Sequence, residues 1–235
     1  MNIFQTLFYQ PLLNALILLY QFVPGGLGMA IILLTIIIKA LLFPLNQKAL
    51  KSQKAAAELE PKLKGIREKF KGNQEKIAKE TMALYGEQKI NPLSGIFLLF
   101  LQLPILIALY QVFSKFTVSQ ELVGLYSFIP NPGQINANFL GLDLTLPNTI
   151  FALFSSALFF LQMKVTQVKT KEAKTEAKKQ KKPEMMAMMQ KQMNYIFPVL
   201  SFFILLKVGS AVALYLTVSG ILSVIEAKII RRTPH

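Results

Sequence analysis

Several stretches of this chain are too long and too apolar to lie at an aqueous surface, and their number limits the fold more than any other feature. Crossing a hydrocarbon layer of about 30 Å takes roughly 17 to 25 mostly apolar helical residues. Leu27–Leu45, Leu93–Phe113, Leu146–Met163 and Ser210–Ile225 have that length and character. A fifth run, Met193–Leu206, holds only about 14 residues, which taken alone also suits a buried or re-entrant helix. Hydrophobic residues make up 53% of the chain and the mean hydropathy is +0.44, while the charges crowd into a few segments. That contrast predicts an all-α, polytopic membrane protein.

Charge placement orients the runs. Asn46–Asn91 carries eleven Lys and Arg against six acids, Lys164–Lys191 nine against three, and Glu226–His235 three against one. Ser114–Thr145 holds only Lys115, Glu121 and Asp143. Lysine-rich loops stay on the cytoplasmic side. An odd number of spans is then required, so the short fourth run counts as one. The expected organisation is an interfacial segment over 1–25 and spans over 26–45, 92–113, 146–163, 192–206 and 209–226. A cytoplasmic helical hairpin covers 46–91, an extracytoplasmic loop 114–145, a basic loop 164–191 and a cytoplasmic tail 227–235. The N-terminus is expected outside. The basic loops suit anionic lipid, or ribosomal RNA through non-specific phosphate contacts, and composition does not separate the two.

Met1–Val23 has no charged side chain, whereas a secretory leader normally begins with a basic region. Its short apolar core, with Asn14, Tyr20 and Gln21, suits a helix lying in the membrane interface. The absence of a transit-peptide pattern points to a bacterial inner membrane.

The first basic segment is too regular for a linker. Leu59, Leu63, Ile66 and Phe70 form one helical stripe, Lys71-Gly72-Asn73 a breaker, and Ile77, Thr81 and Leu84 a second stripe. Two helices joined so tightly should pack antiparallel, and Pro61 should kink the first arm or mark its restart.

Polar side chains inside the runs are the candidate functional residues. Lys39 is the foremost, because a charge within a span costs about 2.5–3.5 kcal/mol on insertion scales. Thr35 lies one turn earlier on its face, Gln162 near the inner end of the third run, and Gln102 just before Pro104. Tyr215, Ser219 and Ser223 repeat every four residues along the last run. Each alone reads as packing glue, and Lys39 alone as a stem reaching toward headgroups. Together they predict a wet, positively charged pocket. With no cysteine and one histidine, at the terminus, the chain offers no thiol chemistry and almost none of the Cys and His ligands that metal chemistry uses. No phosphate-binding loop or nucleophile motif is present, so we expect neither enzyme, cofactor nor DNA binding.

The stretch LLTIIIKALLFPL (33–45), the charged hairpin, MALYGEQKINPLSG (82–95), LQLPILIALYQVF (101–113), FFLQ (159–162) and ALYL (213–216) resemble the YidC/Oxa/Alb insertases in order and spacing, over about residues 10 to 230. The resemblance implies five helices around a hydrophilic groove open to cytoplasm and lipid, with nascent membrane proteins as substrates and the ribosome and Sec translocon as possible partners. It also implies groove roles for Lys39, Thr35, Gln162 and Tyr215. The family usually has arginine where Lys39 stands; lysine keeps the charge but loses the planar five-donor fork. The segment LLKVGSAVAL lacks the proline often found there, and IIRRTPH leaves little for ribosome contact. Two other classes compete. One is a small transporter or channel using Lys39, against which no inverted repeat is visible; the other is a passive scaffold recruiting partners through its basic loops.

Overall fold

The computed structural model describes residues 2–91, 94–118, 122–166, 196 and 198–232, and nearly all of its regular structure is helical. After a π-helical turn over Gln5–Tyr9, α1 covers Gln10–Phe22. Gly25 and Gly26, both at positive φ (108° and 67°), make the corner into α2, Gly26–Glu58. The division expected between 45 and 46 therefore falls inside a single helix, which carries Pro44 without ending. α3 spans Glu60–Lys69, α4 Gln74–Glu87 and α5 Ser94–Val118. A two-stranded antiparallel hairpin, β1 (Asn138–Phe139) and β2 (Leu142–Asp143), precedes α6, Thr149–Thr166. The short helix α7 covers 198–205, and α8 spans Ser210–Arg232. The expected basic loop 164–191 lies outside the described residues beyond 166.

Among the described residues, Gly26–Glu58 and Ser210–Ile230 are long and apolar enough to cross a membrane, and Thr149–Val165 is apolar but shorter. The bundle turns large apolar side chains outward, including Ile37 and Leu41 of α2, Ile107 of α5, Phe154 of α6, Phe203 of α7 and Ile225 of α8. Apolar belts on five helices fit a hydrocarbon solvent. The interior packs Leu13, Leu16 and Ile17 of α1 against Ala30, Ile31 and Leu34 of α2 and Ala108, Leu109 and Val112 of α5.

The two stripes read in the first basic segment form a helical pair. Leu59 and Leu63 are buried, and Ile66, Ile77, Thr81 and Leu84 half-buried. Pro61 falls in the first turn of α3, where a missing N–H costs nothing, so it marks a restart rather than a kink. Gly72 turns the chain at φ 91°, and Asn73 caps α4, its Oδ1 accepting from the Lys76 N–H at 3.0 Å. Ser52 Oγ donates to the Asn91 carbonyl at 2.8 Å, tying the end of the pair back to α2.

The polar residues of the N-terminal stretch have a specific task. Asn14 donates to the Gly124 carbonyl (2.9 Å) and accepts from the Tyr126 N–H (2.7 Å); Gln21 donates to the Pro130 carbonyl (2.6 Å), and the Asn136 N–H donates to the Tyr20 hydroxyl (2.9 Å). The connection between α5 and α6 is thereby laid along α1. Its β-hairpin turns through Leu140 and Gly141, both at positive φ (51° and 80°), the backbone of a two-residue primed turn. The Phe139 ring packs directly on Gly28 of α2, where any Cβ would collide with it. The start of α8 docks on the turn that follows the hairpin: Ser210 N–H donates to the Leu146 carbonyl (3.0 Å) and Ala211 N–H to that of Leu144 (2.9 Å). Those carbonyls satisfy N–H groups that a helix start leaves orphaned. Gly209 permits the approach, since a Cβ there would stand 2.7 Å from the Thr145 carbonyl oxygen. A close glycine contact thus makes this corner without a proline.

Candidate functional site: a polar stripe inside an apolar bundle

A helix places residues four apart on one face, so Tyr215, Ser219 and Ser223 of α8 line up, and Glu226, eleven residues beyond Tyr215, returns to within about 20° of it. On α2, Lys39 and Asn46 share a face seven residues apart, about 10 Å along the axis. The two faces meet. Lys39 Nζ donates to Ser223 Oγ at 2.7 Å, and Asn46 Nδ2 donates to Glu226 Oε2 at 3.2 Å. Both pairs advance together along the chain, so α2 and α8 run in the same direction.

The stripe continues toward the other end through Tyr215, only 2% exposed, whose hydroxyl accepts from Gln102 Nε2 of α5 and bonds Ser219. Burying a phenol with its hydroxyl satisfied leaves no uncompensated polar group. Gln162 of α6 reaches α8 at Gly220, where a Cβ would stand 3.3 Å from its Oε1. A separate set of hydroxyls closes the α6–α8 seam: Ser155 Oγ lies 2.7 Å from Thr217 Oγ1 and donates to the Ala213 carbonyl at 3.1 Å. Those groups pack helices together and leave the stripe to the other face.

The residues expected to form a site are therefore largely assembled on α8: Lys39 at Ser223, Gln102 at Tyr215, and Gln162 at Gly220. Thr35 differs. It is 0% exposed, and its hydroxyl donates to the Ile31 carbonyl of its own helix at 2.6 Å, so its donor is used within α2 and not between helices. Two further residues belong to the stripe, and division of the chain into apolar runs passes over both. That division assigns Asn46 to the cytoplasmic hairpin and Glu226 to the charge balance of the tail, yet they are 9% and 8% exposed and face each other. Their helical register with Lys39 and Ser223 is the signal that marks them. Among the described residues, no group of His, Cys, Asp and Glu is arranged to hold a metal.

Residues 18–235 match the family model described as 60Kd inner membrane protein. The chain is 32% identical over 222 residues to a protein of Pelobacter propionicus named membrane protein insertase YidC, covering 93% of this chain and 37% of that one. A protein of the same name from Buchnera aphidicola is 33% identical, covering 94% and 36%. One from Listeria innocua, named membrane protein insertase YidC 2, is 32% identical, covering 88% and 64%. The chain spans little more than a third of the length of the first two relatives.

Proposed function

We propose that this chain, which belongs to the 60Kd inner membrane protein family, is a membrane protein insertase that moves hydrophobic segments of nascent proteins from the cytoplasm into the bilayer. The carrying observation is a positive side chain held inside an apolar bundle by a hydroxyl of another helix, Lys39 on Ser223, within a stripe that includes Gln102, Gln162 and Tyr215. Such a stripe gives the polar or acidic flanks of a substrate helix hydrogen-bonding and positively charged partners, which lowers the cost of carrying them through hydrocarbon. No covalent step is needed, and the reaction is a transfer between solvents.

In this reading the chain has five spans, the N-terminus outside and the α3–α4 hairpin in the cytoplasm. Support comes from the lysine bias and from the parallel course of α2, α6 and α8, as alternate passes should run. In this reading the hairpin and the lysine-rich segments are what meets the ribosome, the Sec translocon or anionic lipid. The test is site-directed crosslinking of a stalled nascent membrane protein to positions 39, 102, 162 and 215. We expect adducts at these positions. Adducts confined to the hairpin would make the chain a scaffold, and none anywhere would remove substrate binding altogether. Lys39→Ala should lower insertion of a substrate with an acidic translocated flank by about tenfold, the loss of one charge-assisted contact of about 1.5 kcal/mol. Unchanged insertion in reconstituted vesicles would reduce Lys39 to a side chain reaching for headgroups.

A further inference from the structure

Glu226 is the one acid of α8, immediately after its apolar run, and it is 8% exposed. A carboxylate withdrawn from water costs several kcal/mol unless charge and hydrogen bonds compensate it. Two groups serve here: the Asn46 amide donates to Oε2 at 3.2 Å, and the Lys39 ammonium lies within electrostatic reach. The ammonium in turn is tethered to the Ser223 hydroxyl, three residues before Glu226 on the same helix. Among the described residues, the two charges are bonded to these neutral tethers and not to each other. Of the three ammonium donors, one is taken by a described residue. Opposite charges that lack direct contact neutralise each other only in part, so each keeps an attraction for a further charged group. They also make a carboxylate arriving from elsewhere compete with the one already there.

We infer that Glu226 is the resident counter-ion of Lys39, so that an acidic group of a substrate engages the ammonium only by competing with this carboxylate. The chain would then discriminate among substrates by their charge: neutral flanks leave the internal pair undisturbed, whereas acidic flanks must displace it. Asn46 and Ser223 act as positioning residues, each bonding one of the two charges. This inference rests on the insertase reading above and adds the residue that sets its charge preference.

The test uses the full chain in vesicles of zwitterionic lipid, which avoids competition from anionic headgroups. Two single-span substrates, identical except that one translocated flank carries Asp and Glu and the other Asn and Gln, are followed by protease protection. Glu226→Gln keeps the length and an acceptor for Asn46 but removes the charge. We expect it to raise the acidic-to-neutral insertion ratio on the order of fivefold, the scale of one partly screened charge pair. In the Lys39→Gln background the same change should leave the ratio where Lys39→Gln alone puts it. A ratio in Glu226→Gln within twofold of the unaltered chain would overturn the proposal.

If the unaltered chain inserts neither substrate, the insertase reading fails, and the pair is judged without substrate by a melting-temperature cycle over Lys39→Gln, Glu226→Gln and the double variant. A double variant losing less than the sum of the single losses supports the counter-ion. Additive losses overturn it. Should Glu226→Gln not fold, folding of the double variant is the non-additive result, and its failure to fold counts against the pair.

Discussion

Single residues in this protein act mostly by what they allow a neighbour to do. Gly220 is the clearest case on the polar stripe, with Gln162 Oε1 standing 3.3 Å and the Leu158 side chain 3.7 Å from where a Cβ would be. Gly220→Ala requires a shift of a few tenths of an ångström, whereas Gly220→Val must push α6 from α8. We expect the valine variant to lose about 1–3 kcal/mol by overpacking, read as a lower melting temperature in detergent. A melting temperature equal to that of the unaltered chain would show that Gln162 swings aside freely. Lys39 illustrates the opposite dependence, since its charge is tolerable only because Ser223 and Glu226 receive it. Whether lysine is equivalent to arginine there is a matter of donors: a guanidinium could bond Ser223 and Glu226 together, while the ammonium holds the first alone.

At the scale of elements, the α3–α4 pair is a small amphipathic unit with a thin seam. Leu63, 2% exposed, is its best-buried side chain, and α4 has no fully buried residue. Leu63→Ala should therefore cost about 2–5 kcal/mol locally and open the pair to proteolysis between α3 and α4 while leaving the bundle intact. Unchanged cleavage kinetics would mean that the seam does not hold the arms. Asn73→Ala removes the cap on the Lys76 N–H and should cost about 1 kcal/mol, seen as faster hydrogen exchange in the first turn of α4. Periodicity alone makes these two helices legible, because their stripes are local and the breaker between them is a glycine turn. The β-hairpin over 138–143 is not legible in the same way. It is two residues per strand, and what stabilises it is the Phe139 contact with Gly28 and the docking of α8, both distant in sequence.

For the whole molecule, the loop over 122–148 is a clamp at one end, joining α1, α2 and the start of α8, while the α3–α4 pair extends from the other end of α2. Because the chain has no cysteine, single cysteines report sidedness cleanly. With exposed positions 62 and 140, a membrane-impermeant thiol reagent applied outside should label Cys at 140 and spare Cys at 62. The reverse pattern would invert the orientation, and labelling of both would remove the bilayer from between them. The class, the apolar runs, the charge asymmetry and the helical stripes are readable along the chain, because each is written in neighbours a few residues apart. Tertiary structure alone decided which polar groups meet: Lys39 with Ser223 and Asn46 with Glu226 are separated by 184 and 180 positions, respectively. Register is the cause. A stripe on one helix says which face is polar, but only the packing of α2 against α8 sets which turn of one stands opposite which turn of the other, and so turns Glu226 from one charge among many in a basic tail into the partner of the buried lysine.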